Sequence, residues 1–183
     1  ASIEVPLTVI SQPVIINEVA WAGTTAMSED EWIELKNISN YDIDMEKLVL
    51  AAADGAPMIA LTGILLASTT ENNTDLYLIE RRAEATSADH HLSTLFEQLA
   101  DIGEELLLMH PIGNATTTID RTPAVAVCSG WCAGSLPIAI HFSETWGTAT
   151  STLSMERILG AADGARKDSW QSNDTYTKAA SDA

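Results

Sequence analysis

The chain is short of basic residues. Nine Lys and Arg stand against twenty-six Asp and Glu in 183 residues, which gives a formal net charge of −17. A surface with this excess of negative charge repels the phosphate backbone of a nucleic acid at long range. No run of Lys and Arg is longer than two residues. The composition therefore argues against a nucleic acid as partner.

Aromatic residues and long apolar runs are also scarce. Aromatics make up 5% of the chain, so aliphatic side chains must fill most of the core. No apolar run reaches the roughly 20 residues that a membrane-spanning helix needs, and no membrane span is predicted. The hydrophobic share of 46% is too high for a disordered chain. The length suits one domain with a sizeable core.

Cysteine is limited to Cys128 and Cys132, in the sequence Cys-Ser-Gly-Trp-Cys. A metal site would need two further ligands, and the sequence offers none nearby. The spacing also differs from the two-residue separation of redox motifs. A disulfide that closes a short loop is the favoured interpretation, and it fits an oxidising compartment. Two packed free thiols are the alternative.

Four Asn-x-Ser/Thr sequons are candidate glycosylation sites, and they begin at Asn37, Asn72, Asn114 and Asn173. Such sequons accept N-linked glycans in surface loops of secreted proteins. Four is a mild excess over chance for this composition. Together with the expected disulfide, the sequons predict an extracellular or cell-surface location.

Short strands separated by turn signals dominate the hydrophobic pattern. The hydrophobic pattern and the turn residues between segments predict strands at 14–20, 31–36, 48–52 and 105–110. One segment differs, because Leu92, Leu95, Phe96 and Leu99 follow helical spacing and predict a short helix near 89–99. Many short strands at intervals of about ten residues are typical of a β-sandwich.

Residues 1–13, the N-terminal segment, alternate strictly between apolar and other residues over positions 3–9. A period of two asks for one buried strand face. Pro6 lacks a backbone donor, which confines such a strand to a sheet edge, and residues 11–13 form a break. The segment is predicted to cover an open edge, either of its own chain or of a neighbouring copy. The proposed assembly residues are Ile3, Val5, Leu7 and Val9.

Several blocks in a fixed order carry a family resemblance. They are INEVAW at 16–21, DEWIEL at 30–35, LYLIER at 76–81, LADIGEELLL at 99–108 and SMER at 154–157, with Trp170 downstream. The ordered set resembles the lamin tail domain of prokaryotic secreted and surface proteins. The resemblance implies an all-β, immunoglobulin-like β-sandwich over residues 14–170, preceded by the N-terminal segment and followed by a polar tail at 171–183. It also implies a structural or recognition module.

An acidic group at the start of this region is a weak candidate for a metal site. Glu18, Asp30 and Glu31 could supply oxygen ligands to Ca²⁺ at a strand-turn junction. The alternative is that they cap turns, pair with Arg157 or Lys36, or face solvent. No other cofactor is expected. The Gly-x-Ser-x-Gly elbow and phosphate-binding glycine loops are absent from the sequence, so we expect no enzymatic activity.

These observations predict a non-enzymatic secreted or cell-surface structural subunit. Its partners would be copies of itself, joined by exchange of the N-terminal strand, and such a contact can propagate a filament. A recognition module for a glycan, a cell-wall polymer or another protein is the alternative. It would need an exposed aromatic such as Trp21, Trp131 or Trp146. A third possibility is an accessory domain of a secreted enzyme.

Overall fold

The computed structural model describes residues 11–24, 27–67, 75–81, 98–135 and 152–173, and the backbone alone at 90–91, 139–142 and 145–148. The strands in chain order are β1 (Val14–Ala20), β2 (Trp32–Asn37), β3 (Ile43–Asp44), β4 (Val49–Ala52), β5 (Met58–Ala60), β6 (Ile64–Leu65), β7 (Leu76–Glu80), β8 (His90–His91), β9 (Leu106–Ile112), β10 (Ala115–Arg121), β11 (Ala139–Phe142), β12 (Thr145–Thr148), β13 (Met155–Arg157) and β14 (Trp170–Ser172).

Two antiparallel sheets form the body of the protein. The larger sheet has the strand order β14-β13-β1-β2-β7-β8, in which only β8 pairs in parallel, and the smaller has the order β10-β9-β4-β5. Strands β3 and β6 pair with each other, as do β11 and β12. The buried core draws on both large sheets, including Ile16, Ile33 and Leu35 from one and Leu50, Leu106 and Leu108 from the other. The predicted β-sandwich is confirmed.

Helix is a minor part of the described chain. Its one α-helix, α1, spans Val125–Cys128, and 3-10 turns cover Met45–Lys47 and Lys167–Ser169. The helix predicted near 89–99 is wrong at both described ends of that range, because His90–His91 is strand β8 and residues 98–100 are not helical, while Leu92, Leu95 and Phe96 lie outside the described residues. Leu99 is apolar because it is buried in the core, not because it lies on a helix face.

Side-chain alternation explains how these strands are placed. In β2, Ile33, Leu35 and Asn37 point inward, while the other three residues of the strand are only partly buried. Strand β1 differs, since six of its seven residues are buried. It lies in the middle of the larger sheet, between β13 and β2. A strand in that position has both backbone edges paired by its neighbours, and five of its seven residues are apolar.

A buried ion pair ties the two sheets together. Arg157 on β13 pairs with Asp120 on β10, and both residues are buried. The backbone N–H of Ile16 donates to Asp120 Oδ2 at 2.8 Å, and the Ile16 carbonyl accepts from Arg157 Nε at 3.3 Å. The guanidinium also lies 4.6 Å from the ring centroid of Trp170. The carboxylate partner of Arg157 is therefore on the opposite sheet.

The sandwich has two ends of different construction. At the entry end, the N-terminal segment joins β1, and strands β2 and β9 finish at Asn37 and Ile112. At the disulfide end, β1 finishes at Ala20 and β9 begins at Leu106, close to the loop that carries the two cysteines. A seven-residue strand such as β9 is about 23 Å long. That length separates the two ends.

Candidate functional site

A groove of about 550 Å³ opens at the entry end of the sandwich. Its lining is mainly apolar, and the apolar part, called the floor below, consists of Pro13, Ile43, Leu48, Ile112 and Ile119. Two of these, Ile43 and Ile119, also pack against the hydrophobic core. The groove is therefore an opening in the core rather than a separate depression on the surface.

The ends of strands β9 and β10 create this opening. His110 pairs with Thr117 across the two strands, and both line the groove. Residues 111–118 are all exposed, so the hairpin projects beyond the covered part of the sandwich. Strand β10 is also an edge of the smaller sheet, and its outer edge joins no strand among the described residues. An open edge beside an apolar groove is suited to strand addition.

The charged side chains at the margin of the groove are bound by partners close to them in the fold. Asp44 accepts from the backbone N–H of Glu46 at 3.2 Å and lies 3.0 Å from Lys47 Nζ. The hydrogen bond from Lys47 lowers the pKa of Asp44. Asp42 Oδ1 accepts from the backbone N–H of Ala67 at 2.8 Å. These contacts leave the apolar floor as the main surface that an incoming chain can meet.

The N-terminal segment is anchored beside the groove. Gln12 Nε2 donates to Asp120 Oδ1 at 2.8 Å, and the Pro13 carbonyl accepts from the backbone N–H of Ile38 at 2.9 Å. Ser11 itself lines the groove. Residues 1–10 are therefore joined to the described chain at this site. The predicted assembly residues Ile3, Val5, Leu7 and Val9 lie outside the described residues.

An apolar rim lies close to this anchor. Ile38, Tyr41 and Leu66 are 50%, 55% and 44% exposed. Asn37, which precedes Ile38, holds the backbone of the other two nearby, because its Nδ2 donates to the carbonyls of Tyr41 and Leu66, both at 2.8 Å. Grouped apolar side chains on a surface are typical of interaction sites. The rim and the groove together form the candidate functional site.

The four sequons occupy different environments. Asn37 is completely buried, and its side chain also accepts from the backbone N–H of Ser39 at 2.9 Å, so no glycan can attach to it in this fold. Asn114 is exposed in the turn between β9 and β10. Asn173 donates from Nδ2 to Glu18 Oε1 at 2.8 Å. Asn72 lies outside the described residues. Asn114 is therefore the described sequon best placed to carry a glycan.

The disulfide end is closed by two tryptophans and the cysteine loop. Cys128 and Cys132 lie at disulfide distance, with their Cα atoms 5.2 Å apart, which confirms the predicted pairing. Trp21 and Trp131 stack with ring centroids 5.9 Å apart. Their indole N–H groups donate to the carbonyls of Ala133 and Ala100, at 2.9 and 2.7 Å. Trp21 is buried and Trp131 is partly buried, with one face of each ring covered by the other, and Trp146 lies in β12, where only the backbone is described.

The structure does not bring the predicted acidic group together. Glu18 accepts hydrogen bonds from Ser154 and Asn173, and Asp30 accepts from Thr24 at 2.8 Å. Glu31 lies 3.1 Å from Arg81 and accepts from the backbone N–H of Leu99. Within the part of the chain that the structure describes, no group of three or more His, Cys, Asp or Glu is arranged to hold a metal.

A row of carboxylates across the larger sheet escaped the sequence analysis. Glu18 stands opposite Glu156 on β13 and opposite Glu34 on β2. Burial, the largest effect, raises the pKa of Glu34, and Asn17 Nδ2 donates to Glu34 at 2.7 Å. Strand register sets this row, and register is not visible in a single strand's sequence. The side-chain amides and hydroxyl beside it partly offset the repulsion between the carboxylates.

Two further carboxylates are buried at the disulfide end. Desolvation raises the pKa of Glu31 to about 7, and it raises the pKa of Glu104 to about 7 as well. Each carboxylate has one buried oxygen without a hydrogen-bond partner among the described residues. The side chains are almost inaccessible, with Glu31 1% and Glu104 7% exposed. They can bind protons inside the fold, but a substrate on the surface cannot reach them.

No family model, curated protein or solved structure matches this chain. The resemblance to the lamin tail domain therefore stays a prediction. No helix in the described residues is both long and apolar enough to cross a membrane. The geometry of the entry end is the main evidence on function.

Proposed function

We propose that this protein is a non-enzymatic structural subunit of the extracellular space or cell surface that assembles with copies of itself. The contact is made by the alternating apolar residues of the N-terminal segment, which enter the groove of a neighbouring copy. One observation carries the proposal. An apolar groove continuous with the core opens beside an edge strand and is lined by Ser11, which directly follows a segment whose alternating sequence needs one buried face.

The chemistry of the two surfaces is complementary. Ile3, Val5, Leu7 and Val9 present one apolar face if the segment is extended. The groove offers Ile43, Ile112 and Ile119 as its floor. Burial of each such side chain contributes about 1.5–3 kcal/mol before ordering costs. Backbone hydrogen bonds to the outer edge of β10, which joins no strand in the described part of the chain, would add direction and register.

The other parts of the proposal have separate support. A cysteine pair at disulfide distance and an exposed sequon at Asn114 are compatible with an extracellular location. The carboxylates whose pKa values are raised most, those of Glu31 and Glu104, are enclosed in the fold, which argues against a catalytic role for them. The charge of −17 makes copies repel each other, so assembly should strengthen as salt screens that repulsion.

Light scattering on the purified chain tests the proposal. The full-length protein should have a mass above that of one copy, and deletion of residues 1–10 should return it to one copy. Ile112→Ser, on the groove floor, should weaken assembly at least tenfold. Ile102→Ser is the matched control, since Ile102 is 82% exposed but lies at the disulfide end. A full-length protein that is monomeric at every concentration would refute the proposal.

A recognition module is the second candidate, and the exposed rim of Ile38, Tyr41 and Leu66 favours it. Its partner would be a glycan, a cell-wall polymer or another protein. Binding to isolated cell-wall polymer should then survive deletion of residues 1–10 and be lost in Tyr41→Ser. The self-assembly proposal expects the opposite sensitivity to the deletion.

A further inference from the structure

The donor and the acceptor of the proposed contact lie at the same end of the molecule. Ser11 and Pro13 line the groove themselves, so the donated segment begins inside the acceptor site of its own chain. Gln12 and Pro13 fix this starting point through their hydrogen bonds with Asp120 and Ile38. The position of the donor relative to the acceptor is therefore set by the fold, not by a free linker.

The reach of the segment is also limited. The stretch from Ile3 to Ile10, which directly precedes Ser11, would span roughly 27 Å when fully extended. That is close to the length of β9, which separates the two ends. A neighbour that receives the segment must therefore bring its own entry end close to the donor.

We infer that strand exchange in this protein is reciprocal and closes as a two-fold dimer, rather than growing head to tail as a filament. This inference rests on the proposed function and specifies the geometry of the same site. When two copies meet at their entry ends, each segment faces the groove of the other. After both have exchanged, neither a segment nor a groove remains open, and a contact that uses the same surface on both copies closes.

The rim supports this arrangement. Ile38, Tyr41 and Leu66 surround the anchor, so two copies that meet there cover each other's exposed apolar side chains. A head-to-tail contact would place this rim against a different surface of the next copy. The exposed apolar residues at the disulfide end, Ile102 and Val127, would stay outside a dimer of this kind.

Covalent trapping distinguishes the possible arrangements. We would introduce Val9→Cys together with Ile112→Cys, leave the native cysteine pair intact, and add a flexible bis-maleimide at low and high protein concentration. Reciprocal exchange should give a product of twice the chain mass that does not grow with concentration. Val9→Cys with Ile102→Cys is the matched control, and it should give far less of this product, since Ile102 lies at the other end.

Each other outcome has a defined meaning. A ladder of products longer than two chains would overturn the two-fold geometry but leave assembly through the N-terminal segment intact. A cross-link confined to single chains would overturn both, because the segment would then fill its own groove. Light scattering on the unmodified chain provides a check that needs no substitution: a mass that plateaus at two copies is expected, and continued growth with concentration contradicts the inference.

Discussion

The two ends of this sandwich are closed by opposite means. At the disulfide end, Trp21 stacks on Trp131, the cysteine pair fixes the adjoining loop, and the indole N–H groups find backbone carbonyls. At the entry end, a buried amide, Asn37, organises the loops, while apolar side chains and a groove stay open. The disulfide end pairs its indole groups internally, whereas the entry end has a groove and apolar side chains that only a further partner can bury.

This difference assigns stability to the disulfide end and association to the entry end. Strong internal closure at the disulfide end suits a stable scaffold, and its buried carboxylates make that stability sensitive to pH. Substitutions at the open entry end should change the free energy of unfolding little, because the side chains of the rim are already exposed to solvent in a single copy. A substitution at the disulfide end should therefore change unfolding, and one at the groove should change association.

Asp120 offers the strongest test of what holds the two sheets together, and it also contacts the entry end. It accepts from Gln12 at the entry end and from Ile16 in the core, and it pairs with buried Arg157. Asp120→Ala leaves that guanidinium buried without its carboxylate, which should lower the free energy of unfolding by about 3–5 kcal/mol. Urea denaturation measures the loss.

Glu105→Gln is the control for this substitution, because its pair with Arg121 at 3.4 Å lies in a partly exposed position. Removal of such a pair should cost less than about 1 kcal/mol. If the two variants proved equally stable, the ion pair between Asp120 and Arg157 would not hold the sheets together as described.

The second test uses pH to separate the ends. The pKa values of Glu31 and Glu104 are raised to about 7 in the folded state, from an ordinary value of 4.5. The folded state therefore holds these protons more tightly than the unfolded state. Their stabilising effect is complete below about pH 4.5 and is lost as the pH rises to about 7. The loss is about 3 kcal/mol for each carboxyl.

Glu104→Gln should flatten part of this pH dependence, since an amide carries no charge to bury. Denaturant midpoints between about pH 4.5 and 7.5 measure the slope. Asp44→Asn, at the margin of the groove, is the matched control. The pKa of Asp44 is lowered and the side chain is at the surface, so this carboxylate should not contribute to the slope in this pH range. A slope that responds to Asp44→Asn but not to Glu104→Gln would contradict the contrast between the ends.

The sequence predicted the strands better than the ends. The alternation of Ile33 and Leu35 and the apolar run of β1 reflect local burial, which a single segment records directly. The pairing of Cys128 with Cys132 was accessible for a similar reason, since four positions of separation allow only a short loop. Such features depend on neighbours along the chain.

The groove could not be predicted, because Pro13, Ile43 and Ile112 meet only after the sheets have packed. Asn37 shows a different limit. Its sequon suggested an exposed acceptor, but the same Asn and Ser39 form a turn whose amide is buried by carbonyls distant in sequence, such as that of Leu66. The sequence Asn-Ile-Ser is compatible both with an exposed glycan acceptor and with a buried turn, and only the tertiary contacts of Asn37 distinguish the two.

The smallest expected effect comes from reduction of the cysteine pair. The bond between Cys128 and Cys132 closes a loop with a sequence separation of four, so its loss should lower the free energy of unfolding by about 2 kcal/mol. The change should be local, because Trp131 lies inside the loop and packs on Trp21. Near-ultraviolet circular dichroism, which detects the stacked indoles, should change before the backbone signal does.

Association at the entry end should be unaffected by the same treatment, since the groove and the rim make no contact with the cysteine loop that the structure describes. The double variant Cys128→Ser/Cys132→Ser is the control, and its spectrum and stability should not respond to reductant. Assembly that is lost on reduction, while the backbone stays folded, would show that the two ends communicate. In that case the disulfide end would be part of the interaction site, and the separation of a closed scaffold from an open contact surface would have to be abandoned.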